Sequence, residues 1–343
     1  MNKINVLIAG STGYIGLQLI KLLINHRKIN IKYLCGNSSV GKKLSYFDSE
    51  LNKKKLPEII KFKKELLNDV DVVFTALPNG ESQKISKKLL KNNILIDLSA
   101  DFRLKKTSDF FKWYKIKHKA KNLIKDSVYA IPEIKRNYIK SSKIISCPGC
   151  YPTSVLLPLI PLLKKNLISK NNIIIDSKSG YSGAGRGVHK KYKNLNLYES
   201  LSAYGLAVHR HNSEIQQELD LCTGMKTNFQ FTPHLTPMFR GILSTIYIDL
   251  KKGMNKNKVN LELKKFFKNE SFVKIAKPNT FLSTNDVINT NKCIISVCNS
   301  KYQDKLIILS VIDNLIKGGS GQAVQNMNIY YNFKESEGLN AKN

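Results

Sequence analysis

The chain has 343 residues, 42% of them hydrophobic, enough to fill a core in each of two domains. Six cysteines are too sparse for a disulfide scaffold, no apolar run reaches the roughly 18 residues of a transmembrane helix, and Ile4 to Ala9 is too short for a signal peptide, so a reducing cytosol is the expected compartment. The formal net charge of +31 invites a nucleic-acid reading, but only Arg27, Arg103, Arg136, Arg186, Arg210 and Arg240 carry the guanidinium fork that base readers favour; the other basic residues are lysines spread along the chain, which points to a solvated surface that attracts small anions.

In chain order, Ile4 to Ala9 reads as a strand, Gly10 to Gly16 as a glycine-spaced turn, and Leu17 to Leu23 as a helix. Strands are expected at Ile31 to Cys35, Val70 to Leu77 and Ile94 to Leu98, the second ended by the turn Pro78-Asn79-Gly80, with a helix over Ser82 to Leu90 between the last two. Such alternation implies a doubly wound parallel sheet covered on both faces. Beyond Cys150 the texture changes. An apolar helix spans Val155 to Leu163 despite Pro158 and Pro161. Strands then follow at Ile173 to Asp176, Gln230 to Thr232, Leu243 to Leu250, Ile294 to Val297 and Lys305 to Val311, as in a mixed or antiparallel sheet of a second, α+β domain. A last helix covers about Gln322 to Tyr330, and from Glu335 the chain reads as a frayed tail. The expected domains are 1–150, completed by a returning helix at about 314–332, and 151–313.

The turn Gly10-Ser11-Thr12-Gly13-Tyr14-Ile15-Gly16 has G-x-x-G-x-x-G spacing between the first strand and a helix, where small residues let the backbone approach a pyrophosphate. At the end of the second strand no carboxylate is available to hold ribose hydroxyls; Ser38, Ser39 and Lys42 stand there instead and suit a 2′-phosphate, so NADP is the expected cofactor. Cys150, in Cys147-Pro148-Gly149-Cys150-Tyr151-Pro152-Thr153 just before a helix start, has the setting of a nucleophilic thiolate. Cys147 and Cys150 also form a C-x-x-C. With no second such pair, neither a zinc site nor any other metal is expected. His209 and His211 alternate in what reads as an extended segment, so either can face the cleft as proton carrier, and Glu214 orients His211 if a helix begins at Asn212 or Ser213. The loop after Asp176, from Ser177 to Arg186 and including Ser182 and Gly183, offers backbone N–H groups to an anion.

Taken in order, the glycine turn, Ala76 to Gly80, Asp97 to Arg103, Pro148 to Thr153, Ser179 to Arg186, His209-Arg210-His211, and Asp313 to Gly318 with Gln322 to Asn326 resemble the N-acetyl-gamma-glutamyl-phosphate reductase family of the semialdehyde dehydrogenase superfamily. The resemblance covers nearly the whole chain. It implies a Rossmann-type domain, a second domain containing a mixed sheet, a homo-oligomer (dimer or tetramer), and NADPH-dependent reduction of an acyl phosphate to an aldehyde in arginine biosynthesis. Cys150 falls on the family's nucleophile and His209 and His211 on its histidine pair, with His211 favoured as acid/base because Glu214 follows it. Arg103, with Arg186 and Arg210, is expected on the anionic substrate, while Pro78, Ser182, Gly183 and Asn314 are expected on the cofactor. In the implied reaction Cys150 attacks the acyl phosphate, backbone donors near Gly149 or Cys150 steady the oxyanion, and hydride reduces the resulting thioester. Asn79, Asn212, Ser213 and Cys147 depart from the family's common residues without removing a group the chemistry requires. Two rivals are an aspartate-semialdehyde dehydrogenase, which shares the chemistry on a shorter phosphate, and, from another class, a basic nucleic-acid-binding module on a dinucleotide fold.

Overall fold

The structure is a computed structural model that describes residues 3–52, 54–187 and 199–339. The chain divides into two compact units: one runs up to Pro148 and resumes at Gly319, and the other is Gly149–Gly318.

The first unit is built on seven strands: β1 (Ile4–Ala9), β2 (Ile29–Cys35), β3 (Ile59–Ile60), β4 (Val72–Thr75), β5 (Ile94–Asp97), β6 (Ser127–Tyr129) and β7 (Ile144–Ser146). All their pairings are parallel, in the order β3-β2-β1-β4-β5-β7-β6. β4 and β5 are buried at every position, as a sheet flanked on both faces requires. The order reverses at β1, which creates a switch point beside β4 at the carboxyl ends of the strands. Helix α1 (Tyr14–Ile24) leaves β1 through the glycine turn and buries Leu17, Leu19, Ile20 and Leu23. Helix α2 is shorter than its pattern suggests, Ser82–Ser86, because the chain passes into single turns after Ile85. Two further helices are α3 (Thr107–Tyr114) and α4 (Pro132–Ile139).

The second unit carries β8 (Ile173–Gly180), β9 (Ser202–Ala203), β10 (Phe229–Thr236), β11 (Ile242–Asp249), β12 (Val273–Ile275), β13 (Cys293–Asn299) and β14 (Lys305–Ile312), in the order β12-β13-β14-β11-β8-β10-β9. This sheet is mixed: β12 with β13 and β8 with β10 are parallel and the other pairings antiparallel. Helix α5 (Cys150–Lys164) packs on one face and is buried from Tyr151 through Leu163, prolines included; α6 (His211–Thr223) and α7 (Lys256–Phe266) lie beside it. A run of buried hydroxyls lets α5 approach the sheet closely, with Ser154 Oγ 2.7 Å from Ser244 Oγ and Ser244 Oγ 2.7 Å from Ser177 Oγ.

The last helix, α8 (Gly321–Tyr330), belongs to the first unit and is buried along nearly its whole length. Of the expected frayed tail, residues 335–339 are ordered against the first unit, and those beyond lie outside the described residues. Glu335 pairs with Arg136 and accepts from Gln325 Nε2 at 3.1 Å, Asn328 Nδ2 donates to the carbonyls of Glu335 and Glu337 at 2.9 Å each, and Leu339 is buried. A polar composition hides this, because the segment is held by side chains of α4 and α8 that sequence distance separates from it. Among the described residues no helix is long and apolar enough to cross a membrane.

Candidate active site

At the switch point of the first unit, Gly10 adopts φ +87°, and a Cβ there would lie 2.2 Å from the Ala76 carbonyl oxygen; one on Gly16 would lie 2.2 Å from the Gly10 carbonyl oxygen. These two glycines are therefore dictated by packing between β1, β4 and α1. Gly13 is different. It is the N-cap of α1, offers no side chain to the first-turn N–H groups, and a Cβ on it would approach only one protein atom, at 3.8 Å. Its smallness serves space outside the fold, as an anion at a helix N-terminus needs. Ser11 is fully buried, while Thr12, Tyr14 and Ile15 are half-buried along the same turn.

After β2, Ser39 is buried with its hydroxyl turned beneath Gly36, so of the three residues expected at a 2′-phosphate only Ser38 and Lys42 are exposed. Lys42 lies 5.1 Å from the centroid of the Tyr46 ring, at a depression also lined by Lys43, Ser45, Ser49 and Asn52. Pro78 begins the turn after β4. Arg103 is 9% exposed, and its Nη2 donates to the Leu98 carbonyl at 3.1 Å. Cys147, at the end of β7, is completely enclosed; burial pushes its thiol up to about 12, which removes it as a nucleophile near neutral pH.

Cys150 is the first residue of α5, half-buried, at the end of a helix where negative charge is stabilised and with no acidic residue in the first turn. The residue before it, Gly149, is covered by the His211 ring: a Cβ at 149 would stand 2.4 Å from His211 Nε2. Glu214, fully buried, accepts the Gly149 N–H at 2.9 Å through Oε2 and holds Oε1 3.8 Å from His211 Nε2. One carboxylate thus ties the start of α6 to the start of α5. This corrects the expected set of oxyanion donors, since the Gly149 N–H is already given to Glu214. On the other side Gly318 abuts the nucleophile, and a Cβ there would be 2.7 Å from Cys150 Cβ. Gly318 lies in a π-helical turn, Ile316–Ser320, whose start is capped by the buried Asp313 carboxylate, bonded to Leu315 N at 2.9 Å and Ile316 N at 3.2 Å.

The histidine segment is not extended. Val208 and His209 donate to the Gly205 carbonyl and α6 begins at His211 itself, with Arg210 as its N-cap, ahead of the expected start at Asn212 or Ser213. The rings still meet, with centroids 4.8 Å apart, and His209 Nδ1 accepts the His211 N–H at 3.2 Å. His209 packs against Tyr151, Tyr204 and Phe231, so it supports His211 while His211 lies on Gly149. Arg210 and Arg186 are exposed. Asn314 is buried; its Oδ1 accepts from Gly241 N at 2.7 Å and its Nδ2 donates to Ser182 Oγ at 2.9 Å, so its side chain braces the loop that holds Ser182 and Gly183. The structure therefore brings Cys150, His209, His211 and Glu214 together within the second unit, and collects the glycine turn, Ser38, Lys42, Pro78 and Arg103 in the first. Among the described residues no group of three His, Cys, Asp or Glu side chains is placed to hold a metal.

Sequence reasoning passed over two buried carboxylates, Asp97 and Asp101. Asp97 Oδ1 accepts from Thr75 Oγ1 at 2.8 Å and from Ser99 Oγ at 2.6 Å, and Asp101 accepts from Gly80 N at 2.7 Å and Gln83 N at 3.1 Å. Their signal was available: two acids four residues apart directly after an apolar strand have no solvent-facing reason to be there.

Residues 5–142 match the family model of the semialdehyde dehydrogenase NAD-binding domain, and residues 150–314 that of the semialdehyde dehydrogenase dimerisation domain. The fold agrees: aspartate semialdehyde dehydrogenase II of Vibrio cholerae superposes with a TM-score of 0.71 at 15% identity, covering 97% of this chain and 99% of that one. The corresponding enzyme of Candida albicans, solved with NADP, gives 0.67 at 16%, covering 96% of this chain and 99% of that one. The two units are those of a semialdehyde dehydrogenase with a nicotinamide-dinucleotide-binding domain. Among curated sequences the chain is 46% identical to an N-acetyl-gamma-glutamyl-phosphate reductase of Thermoanaerobacter pseudethanolicus, over 98% of each. It is 42% identical to a probable chloroplastic one of Arabidopsis thaliana, over 98% of this chain and 84% of that one. The chain belongs to the N-acetyl-gamma-glutamyl-phosphate reductase family.

The two thiols of the C-x-x-C should separate chemically. At pH 7.5 iodoacetamide should alkylate Cys150 first, with Cys147 unlabelled until the protein unfolds, as peptide mass mapping would read; prompt labelling of Cys147 would contradict its enclosure.

Proposed function

We propose that the protein reduces N-acetyl-gamma-glutamyl phosphate to the corresponding semialdehyde, with release of phosphate, and uses NADPH to do so. The observation that carries this is the grouping of Cys150 at the start of α5, Gly149 under the His211 ring, and Glu214 bonded to both neighbourhoods. The Cys150 thiolate attacks the acyl carbon and the C–O bond to phosphate breaks, leaving a thioester. Backbone N–H groups of the first turn of α5, beside Cys150, steady the developing oxyanion. When bound, the dinucleotide supplies the hydride that reduces the thioester. His211 gives a proton to the oxygen of the resulting thiohemiacetal and takes it back as the C–S bond breaks and the aldehyde leaves. Glu214 keeps the imidazole in place, and His209 buttresses it. Arg103, Arg186 and Arg210 supply positive charge for the anionic substrate.

The glycine turn receives the pyrophosphate, and Ser38 and Lys42 meet the 2′-phosphate in the absence of an acidic residue at the end of β2. Pro78 adjoins the dinucleotide from the turn after β4, and Ser182 and Gly183 adjoin it from the loop braced by Asn314. Purified protein given the acetylglutamyl phosphate should oxidise NADPH with stoichiometric release of phosphate, use NADH with at least about tenfold lower kcat/KM, and leave aspartyl phosphate nearly untouched. Turnover of aspartyl phosphate at the same rate would transfer the protein to the rival reductase, and equal efficiency with both cofactors would remove the role given to Ser38 and Lys42. Among the described residues no two cysteines are joined in a disulfide, which suits a reducing cytosol; a chain recovered in an oxidising compartment with Cys150 in a disulfide would count against that placement.

His211→Asn should lower kcat by about 10²–10⁴-fold with little change in substrate KM, the scale of losing a general acid/base, and His209→Asn should cost less. Reversal of that order in steady-state kinetics would exchange the two roles.

The sheet of the second unit has a face turned away from α5. Because Ser177 and Ser244 point toward the helix, the alternate residues Ile174, Asp176, Lys178, Leu243, Thr245 and Tyr247 point away, and Ile174 and Tyr247 are 48% and 41% exposed. A second copy of the chain covers this face, in keeping with the dimerisation domain matched over the same residues. Tyr247→Asp should shift the protein to a lighter species in sedimentation velocity; an unchanged mass would place the interface elsewhere.

A further inference from the structure

We infer that Asp101 is a positioning residue for dinucleotide binding, its carboxylate clamping the Pro78-Asn79-Gly80 turn and the start of α2 into the shape that receives the cofactor. The inference rests on the reading of the first unit's switch point as the cofactor site. Asp101 is fully buried, and its two oxygens serve different parts of one loop: Oδ1 accepts from Gly80 N at 2.7 Å and Oδ2 from Gln83 N at 3.1 Å. Gly80 has φ +90°, so the turn is not a conformation that the chain keeps unaided with an ordinary residue.

The clamp is itself held. Asp101 N donates to Ser99 Oγ at 3.2 Å, and Ser99 Oγ donates to Asp97 Oδ1. Asp97 is tied to Thr75 at the end of β4, and Thr75 Oγ1 lies 2.8 Å from Ser82 Oγ in α2. From below, His118 Nε2 is 2.8 Å from the Asp101 carbonyl, and Gln83 Oε1 accepts from Lys119 N at 2.6 Å. The ends of β4 and β5 and the start of α2 are thus one hydrogen-bonded block, and Asp101 ties Gly80 to it.

This arrangement is electrostatically costly. Burial, with the Asp97 charge beside it, pushes the Asp101 carboxyl up to about 6. Two enclosed carboxylates are a poor way to stabilise a turn, and such pairs gather where a site demands fixed geometry. The site at stake adjoins the turn, because Ala76, two residues before Pro78, presents its carbonyl to Gly10 of the glycine turn. A loosened Pro78–Gly80 turn therefore disturbs the wall of the dinucleotide cradle, while Cys150, His211 and Glu214 belong to the other unit and keep their own bonds.

The test compares the wild type with Asp101→Ala and Asp101→Asn in the full-length enzyme. Calorimetry reads the Kd for NADPH, and the phosphate burst with acetylglutamyl phosphate in the absence of cofactor reads acylation of Cys150. Asp101→Ala should weaken NADPH binding about tenfold or more and Asp101→Asn less, since the amide keeps one acceptor, with the burst rate within about twofold of wild type in both. An unchanged Kd overturns the inference, and so does a burst that falls in step with binding, because the substitution has then acted on the whole fold. Hydrogen exchange of the cofactor-free wild type needs no variant: Gly80 and Gln83 amides should be protected, and rapid exchange at both overturns the clamp. A wild type that makes the thioester yet binds no dinucleotide refutes the reading of the switch point itself, a result distinct from the loss of affinity predicted for the variants.

Discussion

The hydrogen bond from Gly149 N to the buried Glu214 carboxylate is the interaction on which the chemistry of this protein hangs. It joins the first turns of two helices that lie side by side, and it is charge-assisted and enclosed, the kind worth about 1.5–3 kcal/mol and costly to leave half made. Glycine is required at 149 for a reason unrelated to turns, since the space of its missing side chain is filled by the imidazole of His211. The same logic operates at Gly318 on the other side of the sulfur. Cys150 therefore sits in a slot whose walls are two glycines, and the slot exists only while α6 stays docked through Glu214.

Around that slot the fold follows from burial. Helix α5 carries two prolines and is apolar on every side, a sequence that would make a poor isolated helix; enclosure between α6, α7 and the mixed sheet holds it. The hydroxyls of Ser154, Ser177 and Ser244 satisfy one another beneath it, which lets helix and sheet approach closely without leaving a polar group unpaired. In the first unit the corresponding constraint is the contact between Gly10 and Ala76, which fixes where β4 ends relative to the glycine turn.

What the sequence reveals divides along range. The β1–turn–α1 unit is legible because an apolar run, spaced glycines and an amphipathic helix all lie within twenty-odd residues and obey local rules. Five strands of the mixed sheet, β8, β10, β11, β13 and β14, are legible as apolar runs, although their ends are not, since the ladder extends β8 and β10 over Ser177 to Gly180 and Pro233 to Thr236, and the short β9 and β12 leave no pattern. The two- and three-residue strands β3, β6 and β7 leave no pattern; their neighbours in the sheet define them. In the candidate site the residue types near Cys150 and His211 can be read directly, and the three-residue step from His211 to Glu214 can be guessed. The Glu214–Gly149 bond spans 65 positions and the Asp101 bonds to Gly80 and Gln83 arise from a turn meeting the next strand's exit, so neither is visible until the chain is folded. The tail fails for the same reason, its partner Arg136 being 199 residues away.

The return of the chain to its first unit has a consequence for how the protein is made. Helix α8 and the segment through Leu339 supply buried side chains to a unit whose other strands are all synthesised before Pro148. A ribosome elongating at about 5–20 residues per second needs roughly ten to thirty seconds to translate everything between those two parts. Through that interval the nascent first unit has its seven strands but not the helix that finishes its core, so that core closes only after the second unit has been synthesised.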